Sequence, residues 1–111
     1  MKEINKLVRD RIPEICISNG ETPVTRVLSD EEFRVELDKK ITEEARELVE
    51  AEDPEKVLNE AGDLIETAFA KAALYGYSEE EVMAARDNKR VNNGGFSKRI
   101  FLETVRGNDD K

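Results

Sequence analysis

Two amphipathic stretches that meet at an Asp-Pro step constrain this chain more than any other feature. Ser29-Asp30-Glu31-Glu32 is a capping box, in which the Ser29 hydroxyl and the Glu32 carboxylate satisfy each other's free backbone amides. From there Phe33, Leu37, Ile41, Ala45 and Leu48 recur at spacings of four, four, four and three, the period of one helix face. This predicts a helix to about Ala51. Asp53-Pro54 marks the next boundary, with Asp53 at N-cap and Pro54 at the first helical position, where a missing N–H costs nothing. A second helix follows to about Tyr75, with Val57, Ala61, Leu64, Ile65, Ala68 and Ala72 on one side and Gly76 as its stop. So short a turn makes the two helices antiparallel neighbours.

Around this hairpin the signals are shorter. Lys6-Leu7-Val8-Arg9-Asp10-Arg11-Ile12-Pro13 predicts a short helix with Asp10 as N-cap and Pro13 in its first turn, ending before Asn19-Gly20. Residues 20–28 hold Gly20, Pro23 and the β-branched Thr22, Val24, Thr25 and Val27, which suits an extended connection or a short strand. Ser78-Glu79-Glu80-Glu81 is a second capping box and predicts a helix through about Val91, broken by Asn92-Asn93-Gly94-Gly95. Residues 96–105 are apolar enough to dock on the body as a short helix or an extended arm. The expected fold is all-α: an antiparallel helical bundle with short N- and C-terminal arms, one domain over residues 1–111.

Composition narrows the function classes. Only 38% of the 111 residues are hydrophobic and 40% are charged, so the core is small and a face buried against another copy of the chain would add stability. With no His, imidazole relays and imidazole–metal sites are excluded. The lone Cys16, between Ile15 and Ile17, cannot close an intramolecular disulfide and reads as a small buried hydrophobe. No segment approaches the roughly 18–20 apolar residues of a membrane span, and Met1-Lys2-Glu3-Ile4-Asn5-Lys6 lacks a signal-peptide core, so a cytoplasmic protein is expected. The net charge of −8 is unevenly spread: residues 1–85 carry 11 basic and 22 acidic side chains, residues 86–106 six basic and two acidic. An acidic body argues against binding duplex nucleic acid, which relies on neutralising phosphates with Lys and Arg.

The chemistry concentrates in the hairpin. Glu43-Glu44-x-x-Glu47 lies on its first helix and Glu60-x-x-Asp63 on its second. Positions three apart are about 60° apart on a helix, with Cβ atoms roughly 5–6 Å apart, so Glu44 projects with Glu47 and Glu60 with Asp63. Helical-wheel angles put both pairs on shoulders of the apolar faces. Twelve residues separate Glu47 from Glu60 with the turn inside that gap, which lets the pairs converge at one height. Converging carboxylates repel unless they are protonated or hold a cation. An all-oxygen set suits Mg²⁺, with Mn²⁺ as substitute, and Mg²⁺ readily accepts phosphate oxygens, which makes a polyphosphate the natural substrate. The same spacing also fits a solvated acidic face in a chain with 26 acidic residues. Lys89, Arg90, Lys98 and Arg99 flank the Asn92–Gly95 loop, whose amides can approach an anion, and are the candidate phosphate-binding residues. A basic arm packing on the acidic body is the alternative. Tyr75, Tyr77 and Phe96 can stack on a base or simply pack.

Glu43-Glu44-Ala45-Arg46-Glu47 followed after twelve residues by Glu60-Ala61-Gly62-Asp63 resembles the EExxE…ExxD signature of the all-α nucleoside triphosphate pyrophosphohydrolases. These include MazG-type enzymes, dimeric dUTPases and phosphoribosyl-ATP pyrophosphohydrolase. Lys89 with Asn93-Gly94-Gly95-Phe96 is similar to that group's Lys-x-x-x-Arg-Gly-Gly-Phe element, with Asn93 where the family usually has Arg. The opening Lys6–Pro13 resembles a small phosphoribosyl-ATP pyrophosphohydrolase-like, house-cleaning branch. The resemblance implies hydrolysis of the α–β bond of a nucleoside triphosphate, with Mg²⁺ held by Glu44, Glu47, Glu60 and Asp63, in a homodimer or homotetramer. Phosphoribosyl-ATP is an alternative substrate, and a non-catalytic helical interaction module an alternative of another class. With no His, the base is a carboxylate, Glu47 or Glu43, or the ion's own coordinated water. Arg9, Asp10 and Arg11 either contact substrate or tie the N-terminal arm to the body.

Overall fold

The computed structural model describes residues 2–107, of which the local capping chemistry organises most. The Ser29 hydroxyl accepts from the Glu32 amide at 3.3 Å and the Glu32 carboxylate accepts from the Ser29 amide at 3.4 Å, closing the expected capping box. Arg26 donates to the other Glu32 oxygen at 2.9 Å. These contacts open α2 (Asp30–Glu50). The Asp53 carboxylate accepts from the Lys56 amide at 2.8 Å and starts α3 (Pro54–Ala73) with Pro54 as its first residue. Gly76 ends it: with φ at 84° it lets the Tyr77 amide reach back to the Ala72 carbonyl at 3.2 Å, a closure that needs a left-handed residue. Before the hairpin lies α1 (Ile12–Ser18), and after it α4 (Glu79–Asn93). Among the described residues there is no strand, and no helix is long and apolar enough to cross a membrane. The fold is all-α, as the periodicity requires.

Local details differ from expectation. At α1, Arg11 rather than Asp10 takes the N-cap position, with no side-chain cap, because Pro13 lets the turn begin one residue later. Residues 20–28 are irregular, since an extended segment forms a strand only beside a partner. At α4, the helix continues through Asn92 and Asn93, and Gly94, with φ at 85°, ends it. The expectation for one domain ran over residues 1–111, and its termini, Met1 and residues 108–111, lie outside the described residues. The chain divides into two compact units, Met1–Glu79 and Glu80–Lys111.

In the first unit, α2 and α3 pack as an antiparallel pair. Lys71 donates to Asp38 at 2.6 Å and Arg34 to the Tyr75 hydroxyl at 3.2 Å, so a step of four along α2 matches a step of four back along α3. The Arg34 guanidinium also lies 5.2 Å from the Tyr75 ring centre, a cation–π distance. Leu37, at 2% exposure, is the buried apolar residue of the hairpin among the described residues; Glu44 at 7% and Thr67 at 8% are buried with it. The N-terminal arm runs irregularly to α1 and is pinned to the hairpin by Lys6 on Glu43 and Arg9 on Asp63.

The second unit consists of the body of α4 and the segment after it. Residues 96–107 form no regular element, and the Phe96, Ile100, Phe101, Leu102 and Val105 side chains are exposed.

Candidate metal centre

Glu43, Glu44 and Glu47 come from consecutive turns of α2, and Glu60 and Asp63 from one turn of α3. The antiparallel register sets these turns against each other. One ligand oxygen each from Glu44, Glu60 and Asp63 lies within 4.8 Å of the others, and the same holds for Glu43, Glu44 and Glu47. Glu44 belongs to both groups and is the most enclosed of the five.

The acidic pairs converge from the shoulders of the apolar faces, as the helical wheel put them, but sit deeper than a solvated acidic face would: Glu44 is buried, Glu47, Glu60 and Asp63 are half-buried, and Thr67 follows them inside the hairpin. The Thr67 hydroxyl satisfies itself on the Leu64 carbonyl at 2.7 Å. Ile65 and Ala68, read as part of the buried face of α3, are exposed instead. The helix is rotated so that the acid-bearing stripe faces its partner.

Such a site carries an electrostatic cost. Burial pushes the Glu44 carboxyl above its ordinary value, and the Glu47 charge adds to the shift. Glu60 is raised by desolvation first, then by its hydrogen-bonding contact with Glu47 and that group's charge. Two nearby cations offset part of the repulsion. Lys40, one turn before Glu44, approaches it at 3.6 Å, and Arg9 donates to Asp63 at 2.9 Å. Even so, Oε2 of Glu44 and Oε2 of Glu60 are buried with no hydrogen-bond partner. Unpaired buried acceptors are rare in folded proteins because each forfeits its hydration. Oxygen donors gathered this closely, two of them unsatisfied, fit a hard divalent cation of the Mg²⁺ or Mn²⁺ kind.

Glu43 is also tied to the N-terminal arm. Its carboxylate accepts from Lys6 at 3.2 Å and lies 3.9 Å from Lys40; the Lys6 hydrogen bond holds it below the usual carboxylate range. A cleft of about 490 Å³ beside it is lined by Lys6, Asp38, Lys39, Thr42, Glu43 and Arg46.

The four candidate phosphate-binding cations belong to the second unit. Lys89 and Arg90 lie near the end of α4 and Lys98 and Arg99 in the segment beyond it, all exposed. The Gly94 amide, expected to face an anion, instead donates to the Arg90 carbonyl at 2.8 Å and caps the helix. Sequence reasoning gave no role at the site to Lys40, or to Lys6, which it read only as the start of the N-terminal motif. Lys40 was detectable, since a Lys four residues before a Glu is a recognised helical pair. Lys6 pairs across a separation of 37 residues and leaves no local signal.

Residues 2–90 match the phosphoribosyl-ATP pyrophosphohydrolase family. An uncharacterised protein of Mycolicibacterium smegmatis is 49% identical over 53 residues, which cover 48% of this chain and 54% of that protein. The chain thus spans about half the length of this curated relative. No solved structure matches it.

Proposed function

The chain belongs to the phosphoribosyl-ATP pyrophosphohydrolase family, and we propose that it is a Mg²⁺-dependent nucleoside triphosphate pyrophosphohydrolase that clears non-standard nucleotides. The observation that carries this reading is Glu44: a buried carboxylate with one unpartnered oxygen, within ligand distance of Glu60 and Asp63. In the reaction, the oxygen of water bonds to phosphorus as the α–β anhydride bond breaks, giving a nucleoside monophosphate and pyrophosphate. Mg²⁺, when bound, neutralises phosphate charge and lowers the pKa of coordinated water. Glu44, Glu60 and Asp63 would hold it, and Glu47, grouped with Glu43 and Glu44, would complete the set. Glu47 is also the carboxylate we assign as proton acceptor. Glu43 is less suited, because its bond from Lys6 lowers its basicity. Lys89, Arg90, Lys98 and Arg99 are assigned to the substrate's phosphates on charge grounds alone.

The family match favours a second substrate of the same bond type, phosphoribosyl-ATP. We also propose a homodimer or homotetramer. The hairpin buries one apolar residue among those described and leaves Val35, Val49, Leu58 and Ile65 exposed, so an apolar partner face would stabilise it. Light scattering behind size exclusion tests this.

The decisive assay is pyrophosphate release from ordinary and damaged nucleoside triphosphates and from phosphoribosyl-ATP, with and without Mg²⁺. Release that needs Mg²⁺ and is lost in E44Q and D63N, with helicity retained, is the expected result. No release from any of these substrates by the wild type would overturn the proposal in favour of a non-catalytic helical module.

A further inference from the structure

The N-terminal arm meets the carboxylates at two points, Lys6 on Glu43 and Arg9 on Asp63, and the second lies at the group that Glu44 and Glu60 complete. Arg9 Nη2 donates to Asp63 Oδ1 at 2.9 Å, and Asp63 supplies a ligand oxygen within 4.8 Å of those of Glu44 and Glu60. A guanidinium therefore rests on one corner of the oxygen set that would hold an ion. Its charge does part of the neutralising that an ion would do.

The geometry of this contact suits exchange better than permanent fastening. It engages one nitrogen of a group with five N–H donors. Arg9 is exposed, its side chain at 59%, and the half-buried Asp63 keeps 43% of its side chain in water, so the pair opens at little cost. Among the described residues no helix or strand precedes Ile12, and although the Arg9 carbonyl accepts the Ile12 amide at 3.0 Å, the Arg9 side chain can swing without unwinding an element. The arm keeps a separate anchor, Lys6 on Glu43 at 3.2 Å, while Arg9 moves. A cation seated on Asp63, Glu44 and Glu60 would repel a guanidinium bonded to the same carboxylate. The planar fork so released matches phosphate oxygens, and a polyphosphate bridged to the ion would present them nearby.

We propose that Arg9 is a substrate-binding residue that exchanges partners: it holds Asp63 in the metal-free protein and a substrate phosphate once a divalent cation has taken Asp63. This rests on the hydrolase reading above. It assigns the arm a role beyond attachment, and it ties phosphate binding to prior loading of the site.

Two titrations test it on the full chain, with R9M, R9K and K6M beside the wild type and circular dichroism as a fold control. The first uses Mn²⁺ alone. R9M should bind it about two- to fivefold more tightly, the scale of one exposed ion pair removed as competitor. The second adds magnesium pyrophosphate to the Mg²⁺-loaded protein. R9M should bind it at least about tenfold more weakly, the scale of a charged hydrogen bond, and R9K should recover part of the loss because it keeps charge without the fork. K6M, which loosens the arm without touching Asp63, should leave both constants near wild type. Unchanged constants in R9M, or losses shared equally by R9M and K6M, would overturn the exchange and make Arg9 a strap. Failure of the wild type to bind Mn²⁺ at all would instead overturn the hydrolase reading, and the exchange with it.

Discussion

The α2/α3 hairpin and residues 86–106 carry opposite charge and use it in opposite ways. In the hairpin, carboxylates from two helices are drawn into a partly buried stripe, with raised pKa values at Glu44 and Glu60 and two oxygens unpartnered. In the second unit, Lys89, Arg90, Lys98 and Arg99 are exposed. The apolar side chains after α4 are exposed too, Phe96 at 98%. Burial makes the difference. The low-dielectric hairpin holds its charges in place before any ligand arrives, whereas exposed cations at a helix end and on the irregular segment beyond it fix their side chains only on what they bind.

The comparison breaks most sharply at Glu44. E44Q should lose Mn²⁺ binding and about 10²–10³-fold in turnover, the scale of removing one preorganised electrostatic group. Neutralising Lys89 and Arg90 together should leave Mn²⁺ binding intact and raise KM. Equal loss of metal binding in both would erase the contrast, and isothermal titration decides it. Next in size is packing. L37A should cost about 2–5 kcal/mol in urea denaturation, as for other buried Leu-to-Ala changes. F96A or F101A should stay within about 0.5 kcal/mol, as surface changes do. A large F96A effect in a concentration-dependent melt would mean that a second copy covers that segment.

A smaller change is expected at Gly76, whose φ of 84° sits in the left-handed region with no atom crowding an added Cβ. G76A should therefore cost only the backbone penalty, about 1–2 kcal/mol in melting experiments. The least is the pH dependence of the metal-free protein. Glu44 and Glu60 are raised above their ordinary 4.5, so between that value and their folded pKa the native state binds more protons than the unfolded chain. Their contribution to stability is thus present below 4.5 and lost as pH rises through the raised folded values. Glu43 is lowered and contributes the other way, above 4.5, lost as pH falls through its folded pKa. Melting temperature should rise as pH is lowered toward the ordinary carboxylate range, before acid unfolding begins, and saturating Mg²⁺ should flatten the rise. A rise that E44Q does not diminish would place its origin outside the cluster.

How much of this was visible beforehand follows from the range of each interaction. The Ser29 capping box, the Asp53-Pro54 boundary and the Gly76 stop involve residues a few positions apart, and all three form as their chemistry requires. The pairing of Glu44 with Glu60 and Asp63 was also legible, because a short turn and helical spacing bring the same heights together. The burial of that cluster was not. Periodicity ranks faces by hydrophobicity, and on α3 it favoured Val57, Ile65 and Ala68, which are exposed, over the stripe of Glu60, Asp63 and Thr67 that faces α2.

The sequence by itself therefore determined where helices begin and end and which carboxylates share a turn, since hydrogen bonds between near neighbours decide these. The tertiary structure alone decided how far each helix turns about its axis. It alone brought Lys6 to Glu43 and Arg9 to Asp63, across 37 and 54 residues. Those contacts depend on the shape and charge of a distant surface, which exists only after the hairpin has closed.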